Sequence, residues 1–426
     1  MGGRKAVSGS VLPHRPEDLA RELLEGCLRD GCWRQELLDA LAALALDPRK
    51  DLASEAARAL FGILAEQLAD LFEPRLSSVY AGMFAHVIAA ALPEYREDDL
   101  TARYERVRTA RRFAGPDPKA VVVLSRVTLG ADVAVTSPIL SALKRRFPKA
   151  EIVLAGPRKN WELLESDPRL KHLSVSYGRQ ATLRERLAAG QALREAIEPA
   201  QPIVVDPDSR LTQLGLLPVC PERNYYFFES RAYGGDSAEP LSKLAARWAE
   251  ETFGVPGVPY IAPAARMEAG DAPIITVSFG VGDNPRKRLP GPFEREAVRG
   301  LLREGAVVWV DKGGGGEEAT RVEAAVAGLG DRVRVWDGAF APFAALIARS
   351  RLYFGYDSAG QHVAAACGTP LVSVFAGYPS ERMFARWRPT GPGPIRVVRA
   401  EAREPSAVLA EALSAADALW EAGSAG

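Results

Sequence analysis

Cysteine is scarce in this chain: Cys27, Cys32, Cys220 and Cys367 are its only four in 426 residues, and none stands in C-x-x-C spacing. That argues against a disulfide framework and a thiolate zinc site, and it predicts a reducing, cytoplasmic setting. Net charge is absent too. Fifty-four basic residues offset 54 acidic ones, which removes the global field that nucleic acid or an anionic membrane surface would call for. Peripheral membrane contact is the most that is expected. The longest apolar stretch, residues 79–92, is too short to span a bilayer and contains His86. No apolar signal segment opens the chain, and residues 1–14 are expected to be disordered. H-E-x-x-H, G-x-S-x-G, the Walker A loop and G-x-G-x-x-G are all missing, which argues against peptidase, esterase, NTPase and dehydrogenase chemistry.

What is present describes a soluble globular protein, 47% hydrophobic and 25% charged, long enough for two or three domains. From residue 15 to 112, leucine and alanine recur at three- and four-residue spacing with no strand-like alternation, which predicts an all-α module. A Gly115-Pro116 linker follows. Apolar strands then alternate with helical stretches over 119–265, and again over 266–400. This pattern predicts an α/β protein with two Rossmann-like, doubly wound domains facing a cleft, behind the helical module. Residues 401–426 read as a helix packing back on the first Rossmann-like domain.

Two segments carry chemistry. In residues 355–377, a strand leads into a turn with Asp357 and Ser358, and a small-residue helix follows from about Gly360 to Cys367, then Gly368-Thr369-Pro370 and a second apolar strand. In open parallel sheets ligands bind at this end of the strand, and the N–H groups of a helix start suit a phosphate. Asp357 and His362 place a carboxylate and an imidazole beside it. In residues 121–148, the buried strand Val121 to Leu124 runs through Leu129-Gly130-Ala131 into a helix carrying Asp132, Thr136 and Pro138.

The pattern D-S-x-x-x-H-x-A-A-A-x-G-T-P with F-x-G after the next strand, and the loop-Asp followed by T-x-P in the first segment, resemble glycosyltransferase family 9, the bacterial heptosyltransferases. The chain departs from the family at Ala131, where a glycine precedes the aspartate. The resemblance implies GT-B architecture and inverting transfer of a sugar from a nucleotide-sugar, ADP-heptose by analogy, to an acceptor hydroxyl on a glycan, lipid-linked sugar or other molecule. It also implies Asp132 as catalytic base, His362 as an orienting residue, and Asp357, Ser358, Ala359, Gly360 and Gln361 as the donor corner. No metal or cofactor is expected if protein cations neutralise the diphosphate. The alternatives are a non-catalytic nucleotide-sugar-binding or scaffold protein and a GT-B epimerase.

Other candidates follow the strands of the second half. Ser278 to Arg288 combines glycines with Arg286, Lys287 and Arg288, as a pyrophosphate requires, and Lys287-Arg288-Leu289-Pro290 fits the family's lysine-x-x-proline. Gly313 to Gly316 precede Glu317 and Glu318, either of which could take the family's ribose-contacting position, with Glu317 favoured. Asp206-Pro207-Asp208 reads as a turn with two solvated acids rather than a metal-binding D-x-D. Arg103, Arg106, Arg108, Arg111 and Arg112 read as a solvated helix face, and His14, His86 and His172 as structural. An Asp132→Asn change is expected to leave stability nearly unaltered because the amide is isosteric.

Overall fold

The computed structural model describes residues 15–264, 270–282 and 284–423. The disorder expected for residues 1–14, His14 and the domain junction at 265–266 lie outside the described residues. Two compact units emerge: residues through Arg103 together with Tyr177–Ala188, and Tyr104–Ser176 together with the chain from Ala189 onward.

The first unit is helical, as the 3.6-residue periodicity requires. Helices span Pro16–Asp30, Gln35–Ala45, Lys50–Arg58, Glu66–Asp70 and Pro74–Ala91, with a wide π-type turn over Ala59–Ala65. The leucine stripes Leu19/Leu23 and Leu38/Leu41 are buried with Leu64 and Leu76. Arg186 joins this unit from Tyr177–Ala188, its guanidinium 4.3 Å from the Phe61 ring centre and 4.8 Å from that of Tyr177.

His86 is structural, and it works as an ionic clamp. Its Nδ1 lies 2.8 Å from Glu97 Oε2, and its Nε2 lies 2.7 Å from Asp39 Oδ1. Carboxylates beside both ring nitrogens favour hydrogen on both, the imidazolium form, although the Gln35 amide nitrogen also lies 2.9 Å from Nε2. Burial alone would lower the pKa, but the bonds from Glu97 and Asp39 outweigh it and the net shift is upward.

The second unit holds two wholly parallel sheets. The first, of five strands, is formed by β1 (Ala120–Leu124), β2 (Glu151–Gly156), β3 (Leu170–Ser174), β4 (Ile203–Asp206) and β5 (Tyr225–Phe227), in the order β3-β2-β1-β4-β5. The second has six: β6 (Ile274–Ser278), β7 (Val307–Asp311), β8 (Val333–Trp336), β9 (Leu352–Tyr356), β10 (Leu371–Phe375) and β11 (Ile395–Arg399), in the order β11-β10-β9-β6-β7-β8. Strand order reverses beside β1 in one sheet and beside β6 and β9 in the other, the crevices where parallel sheets take ligands. The expected α/β class and paired doubly wound domains are therefore present.

Three expectations are corrected here. The helical module was bounded at residue 112, yet the chain from Tyr104 packs in the second unit. Tyr104 hydrogen bonds Glu229, and the Phe113 ring lies 5.1 Å from Phe147 and 5.9 Å from Tyr226. Four of the five arginines, all but the exposed Arg112, are docked instead of solvated. Arg103 is 7% exposed, Arg106 pairs with Glu222, Arg108 with Glu229, and Arg111 donates to the carbonyls of Glu222, Arg223 and Tyr225.

The C-terminal helix Pro405–Ala422 packs on the second sheet, not the first Rossmann-like domain. Its stripe of Val408, Ala412, Ala416 and Leu419 is buried in one cluster with Ile275, Val277, Val308 and Val310. A Cβ at Gly300 would lie 2.5 Å from Leu413 Cδ1, so that glycine lets the helix Phe293–Gly300 come alongside. The apolar face of the second sheet needs this cover, and the stripe supplies it locally.

Two outcomes are expected. Because the folded imidazole binds its proton more tightly than the unfolded one, the stability from His86 is complete below its unfolded pKa of about 6.5 and is lost as pH rises through the folded value. Thermal melts of the full chain from pH 6 to 9 should show the helical unit weakening with pH, and His86→Gln should flatten that slope. Leu419→Ala should cost about 2–5 kcal/mol, read from urea unfolding followed by the tryptophan signal. A loss below 0.5 kcal/mol, taken as about the size of a surface substitution, would contradict this packing.

Candidate active site

The chain leaves β1 at Leu124 and makes a tight loop before the helix that runs from Leu129 to Arg146 with a π-type widening over Asp132–Thr136. Asp132 organises this loop. Its Oδ1 accepts from the Arg126 backbone N–H at 2.7 Å and Thr136 Oγ1 at 2.5 Å, and its Oδ2 from Ser125 Oγ at 2.5 Å and Asn160 Nδ2 at 2.6 Å. The carboxylate is 2% exposed, and burial raises its pKa against the pull of these four bonds. Val127, a β-branched residue, is held at φ +73°, a conformation that costs about 1–3 kcal/mol and persists only where its surroundings dictate it. Asn160 was missed from sequence, because nothing near it in the chain marks it.

The four donors bear on the expectation for Asp132→Asn. An asparagine at 132 can keep its carbonyl oxygen on the Arg126 N–H and turn its N–H₂ toward Ser125 and Asn160, where the hydroxyl can accept and the Asn160 amide can flip to present its otherwise unpartnered Oδ1. Asp132→Asn therefore remains expected to shift stability little.

The second half of the site lies at the ends of β6, β7 and β9. Asp357, 6% exposed, receives Lys287 Nζ on Oδ2 and Gln361 Nε2 on Oδ1, each at 2.5 Å. Ser373 on β10 in turn donates to Gln361 Oε1 at 2.5 Å. Asp357, Lys287 and Gln361 thus form one network, as their shared strand-end positions predict. The helix Ala359–Cys367 begins at Ser358, whose hydroxyl caps no backbone N–H. The first N–H groups of that helix remain open to an anion. Gly360 is required by packing: a Cβ there would lie 2.2 Å from the buried Tyr353 hydroxyl.

His362 is 7% exposed, and burial brings its pKa down to about 4, with Asp357 opposing and Lys287 reinforcing the shift. It is a neutral imidazole at physiological pH. Its ring lies beside the first half of the site: a Cβ at Gly130 would sit 3.2 Å from both His362 Cδ2 and Ala359 Cα. The two sequence segments therefore meet, and the close approach is made at Gly130. Ala131 faces inward at 5% exposure, so the family's missing glycine is not the point of approach to this corner.

Arg286 is exposed and forms no ion pair among the described residues. Its backbone is pinned by Gly377 of the F-x-G segment, at φ +64°, where a Cβ would lie 2.3 Å from the Arg286 carbonyl oxygen. Glu317 does not enter the site. Its side chain is 79% exposed and pairs with Arg288 at 3.2 Å. Glu318 folds inward, accepts from the Gly314 N–H at 3.0 Å, and fills the space that Cβ atoms at Gly280 and Gly313 would need. Helical geometry turns successive residues by about 100°, so only one of two adjacent glutamates can face the loops. Asp311, at the end of β7 beside Glu318, is raised to about 6 by burial.

The Asp206-Pro207-Asp208 turn is not solvated. Asp206 accepts from Ser209 N–H at 2.6 Å and from Thr212 and Tyr225 hydroxyls at 2.5 Å, and burial raises it to about 6. Asp208 pairs with Arg231 at 3.1 Å. Both act as internal scaffolding, having met their donors within the protein. No group of histidine, cysteine, aspartate or glutamate among the described residues could hold a metal ion.

Comparisons with known proteins bear on the fold and the family likeness. Residues 241–405 match the family described as glycosyltransferase family 9 (heptosyltransferase). No curated protein matches the chain. Among solved structures, the glycosyl transferase family 9 protein of Veillonella parvula DSM 2008 aligns with a TM-score of 0.55 at 18% identity, covering 71% of this chain and 97% of that one. E. coli ADP-heptose lps heptosyltransferase II gives 0.51 at 18%, covering 71% and 98%. E. coli heptosyltransferase WaaC with ADP gives 0.51 at 15%, covering 71% and 99%. At such identities the likeness establishes the fold, which is GT-B. The resemblance seen in residues 355–377 thus falls inside the span, 241–405, over which the chain is similar to glycosyltransferase family 9, the heptosyltransferases.

Proposed function

We propose that the protein transfers a sugar from a nucleotide-sugar to an acceptor hydroxyl with inversion at the anomeric carbon. The observation that carries this reading is the meeting of Gly130 with Ala359 and His362, which sets the Asp132 loop against the Asp357 corner. The donor's diphosphate would lie over the N–H groups at Ser358 to Gly360, with Lys287 and the unpaired Arg286 offsetting its charge. Glu318 takes the ribose side in place of Glu317, and Asp357 with Gln361 faces the sugar hydroxyls. ADP-heptose is the favoured donor. WaaC, a neighbour by fold, was solved with ADP and with ADP-2-deoxy-2-fluoro heptose.

In the reaction the acceptor oxygen forms a bond to the anomeric carbon while the bond from that carbon to the diphosphate breaks. The acceptor proton passes to Asp132. For this, Ser125 or Thr136 must rotate its hydroxyl away and free a carboxylate lone pair, which burial has already made more basic. Neutral His362 borders the site and orients it without adding charge. The acceptor is a hydroxyl of a glycan, a lipid-linked sugar or a similar molecule, the protein works in the cytoplasm, and no metal takes part.

A second reading has one observation in its favour. All four acceptor positions of Asp132 are filled, as in a structural aspartate, which suits a protein that binds a nucleotide-sugar without turning it over.

Two measurements decide. A thermal-shift screen across ADP-, UDP- and GDP-sugars should single out the ADP series, since a ligand of the native state raises stability by mass action. In that assay and in calorimetry, Lys287→Ala should weaken ADP binding by about 1.5–3 kcal/mol; unchanged affinity removes the lysine from the donor site. Asp132→Asn should lower kcat by about 10²–10⁴-fold with little change in ADP affinity. Asn160→Ala serves as its control: it disturbs the same network but keeps the carboxylate, and it should retain most of the rate. Equal losses in both variants, or tight ADP binding by a wild type that transfers no sugar, would favour the binding protein.

A further inference from the structure

The short helix Glu381–Trp387 follows β10, and nothing in the sequence singles it out. It faces two ways. At its end, the Trp387 carbonyl takes a long hydrogen bond of 3.5 Å from Gln361, and the Trp387 ring lies 5.7 Å from that of His362. From its other side, two arginines reach the loop that follows β5 in the first Rossmann-like domain. Arg382 donates to the Gly235 carbonyl at 2.9 Å and to Asp236 Oδ1 at 2.5 Å. Arg386 donates to the same Gly235 carbonyl at 2.9 Å and to the Glu239 carbonyl at 3.3 Å.

Arg386 is the unusual member. It is 1% exposed, and its Nε has no partner. Burying a guanidinium that holds only backbone carbonyls is unfavourable, so a merely adhesive role is poorly served by this residue. Burial, with Arg382 close by, brings its pKa down to about 10, which leaves it charged at neutral pH. The loop it grips has one path: Gly234 and Gly235 stand at φ +83° and +53°, and a Cβ at Gly234 would lie 2.8 Å from Leu244. Five residues before Gly235, the Ser230 hydroxyl accepts from Arg126 Nη1 at 2.7 Å. The Arg126 backbone N–H is one of the four donors to Asp132. Bonds and short stretches of backbone therefore run from Asp357 through Gln361, Trp387, Arg386, Gly235 and Ser230 to Arg126 and Asp132.

We propose that Arg386 is a positioning residue that couples the donor corner to the Asp132 loop, so that nucleotide at Asp357 and Gln361 orders residues 230–239 and, through Ser230 and Arg126, the carboxylate. The inference rests on the nucleotide-donor reading above and extends it to a route between the two halves of the site. Contiguity alone does not establish coupling; a response at one end to a ligand at the other does.

Hydrogen exchange of the full-length protein with and without ADP supplies that response. In wild type, ADP should slow exchange across residues 230–239 by at least about fivefold, the lower end of ordinary coupling. Arg386→Ala should bind ADP within about threefold of wild type, a change under 1 kcal/mol, and lose the slowing at 230–239. Arg382→Ala shares the Gly235 carbonyl from a partly exposed position, so it should fold readily and lose part of the effect. It stands in if Arg386→Ala does not fold. ADP binding without any change at 230–239, or a full response in the arginine variants, overturns the coupling and leaves the donor reading intact. Failure of wild type to bind ADP at all removes both.

Discussion

A buried carboxylate with no cation bonded to it sets the path of the chain out of β1. Asp132 is satisfied by two hydroxyls, one side-chain amide and one backbone N–H, drawn from positions 125, 126, 136 and 160. A charge in this position must be met by donors or be given up as a proton, and the geometry meets it. Because one donor is the Arg126 N–H, the loop backbone cannot relax without stranding the carboxylate. The left-handed Val127 and the widened helical turn both sit inside this constraint. Gly130 is then delivered to Ala359, and the second half of the site has something to face.

The donor corner uses a different economy of charge. Asp357 pairs directly with Lys287, the lysine that the donor reading sets against a diphosphate. The ion pair holds the lysine ammonium at the strand end, where, on the donor reading, an incoming anion would share a cation that is already in place. His362, neutral beside them, contributes shape and a polar ring without altering that balance.

Strands, their parallel arrangement and the two polar strand-end loops were legible because each depends on a few adjacent residues: a continuous apolar run, a glycine, a polar group at the strand end. Asp357, Ser358 and Lys287 belong to that class. Asn160 does not, since its role is defined by a carboxylate 28 positions away. The choice between Glu317 and Glu318 turned on helix phase, which begins at Gly316 and is invisible in a run of four glycines. Asp206 and Asp208 look like turn residues by type, and only the convergence of Tyr225, Thr212 and Arg231 makes them interior. The C-terminal helix carries an apolar stripe that says it must be covered, but not by which sheet. Those outcomes are long-range, and local pattern does not encode them.

Arg186, held between Phe61 and Tyr177, belongs to a stretch of twelve residues that the helical unit borrows from within the second unit. The chain consequently passes between the units three times: after Arg103, after Ser176 and after Ala188. During synthesis the helical unit cannot be complete when its own hundred-odd residues have emerged. It must wait, with the Phe61 side of its core open, until β1, β2 and β3 have also been made and residue 188 has left the ribosome. The order of the genetic message thus ties maturation of the amino-terminal unit to that of the Asp132 half of the site.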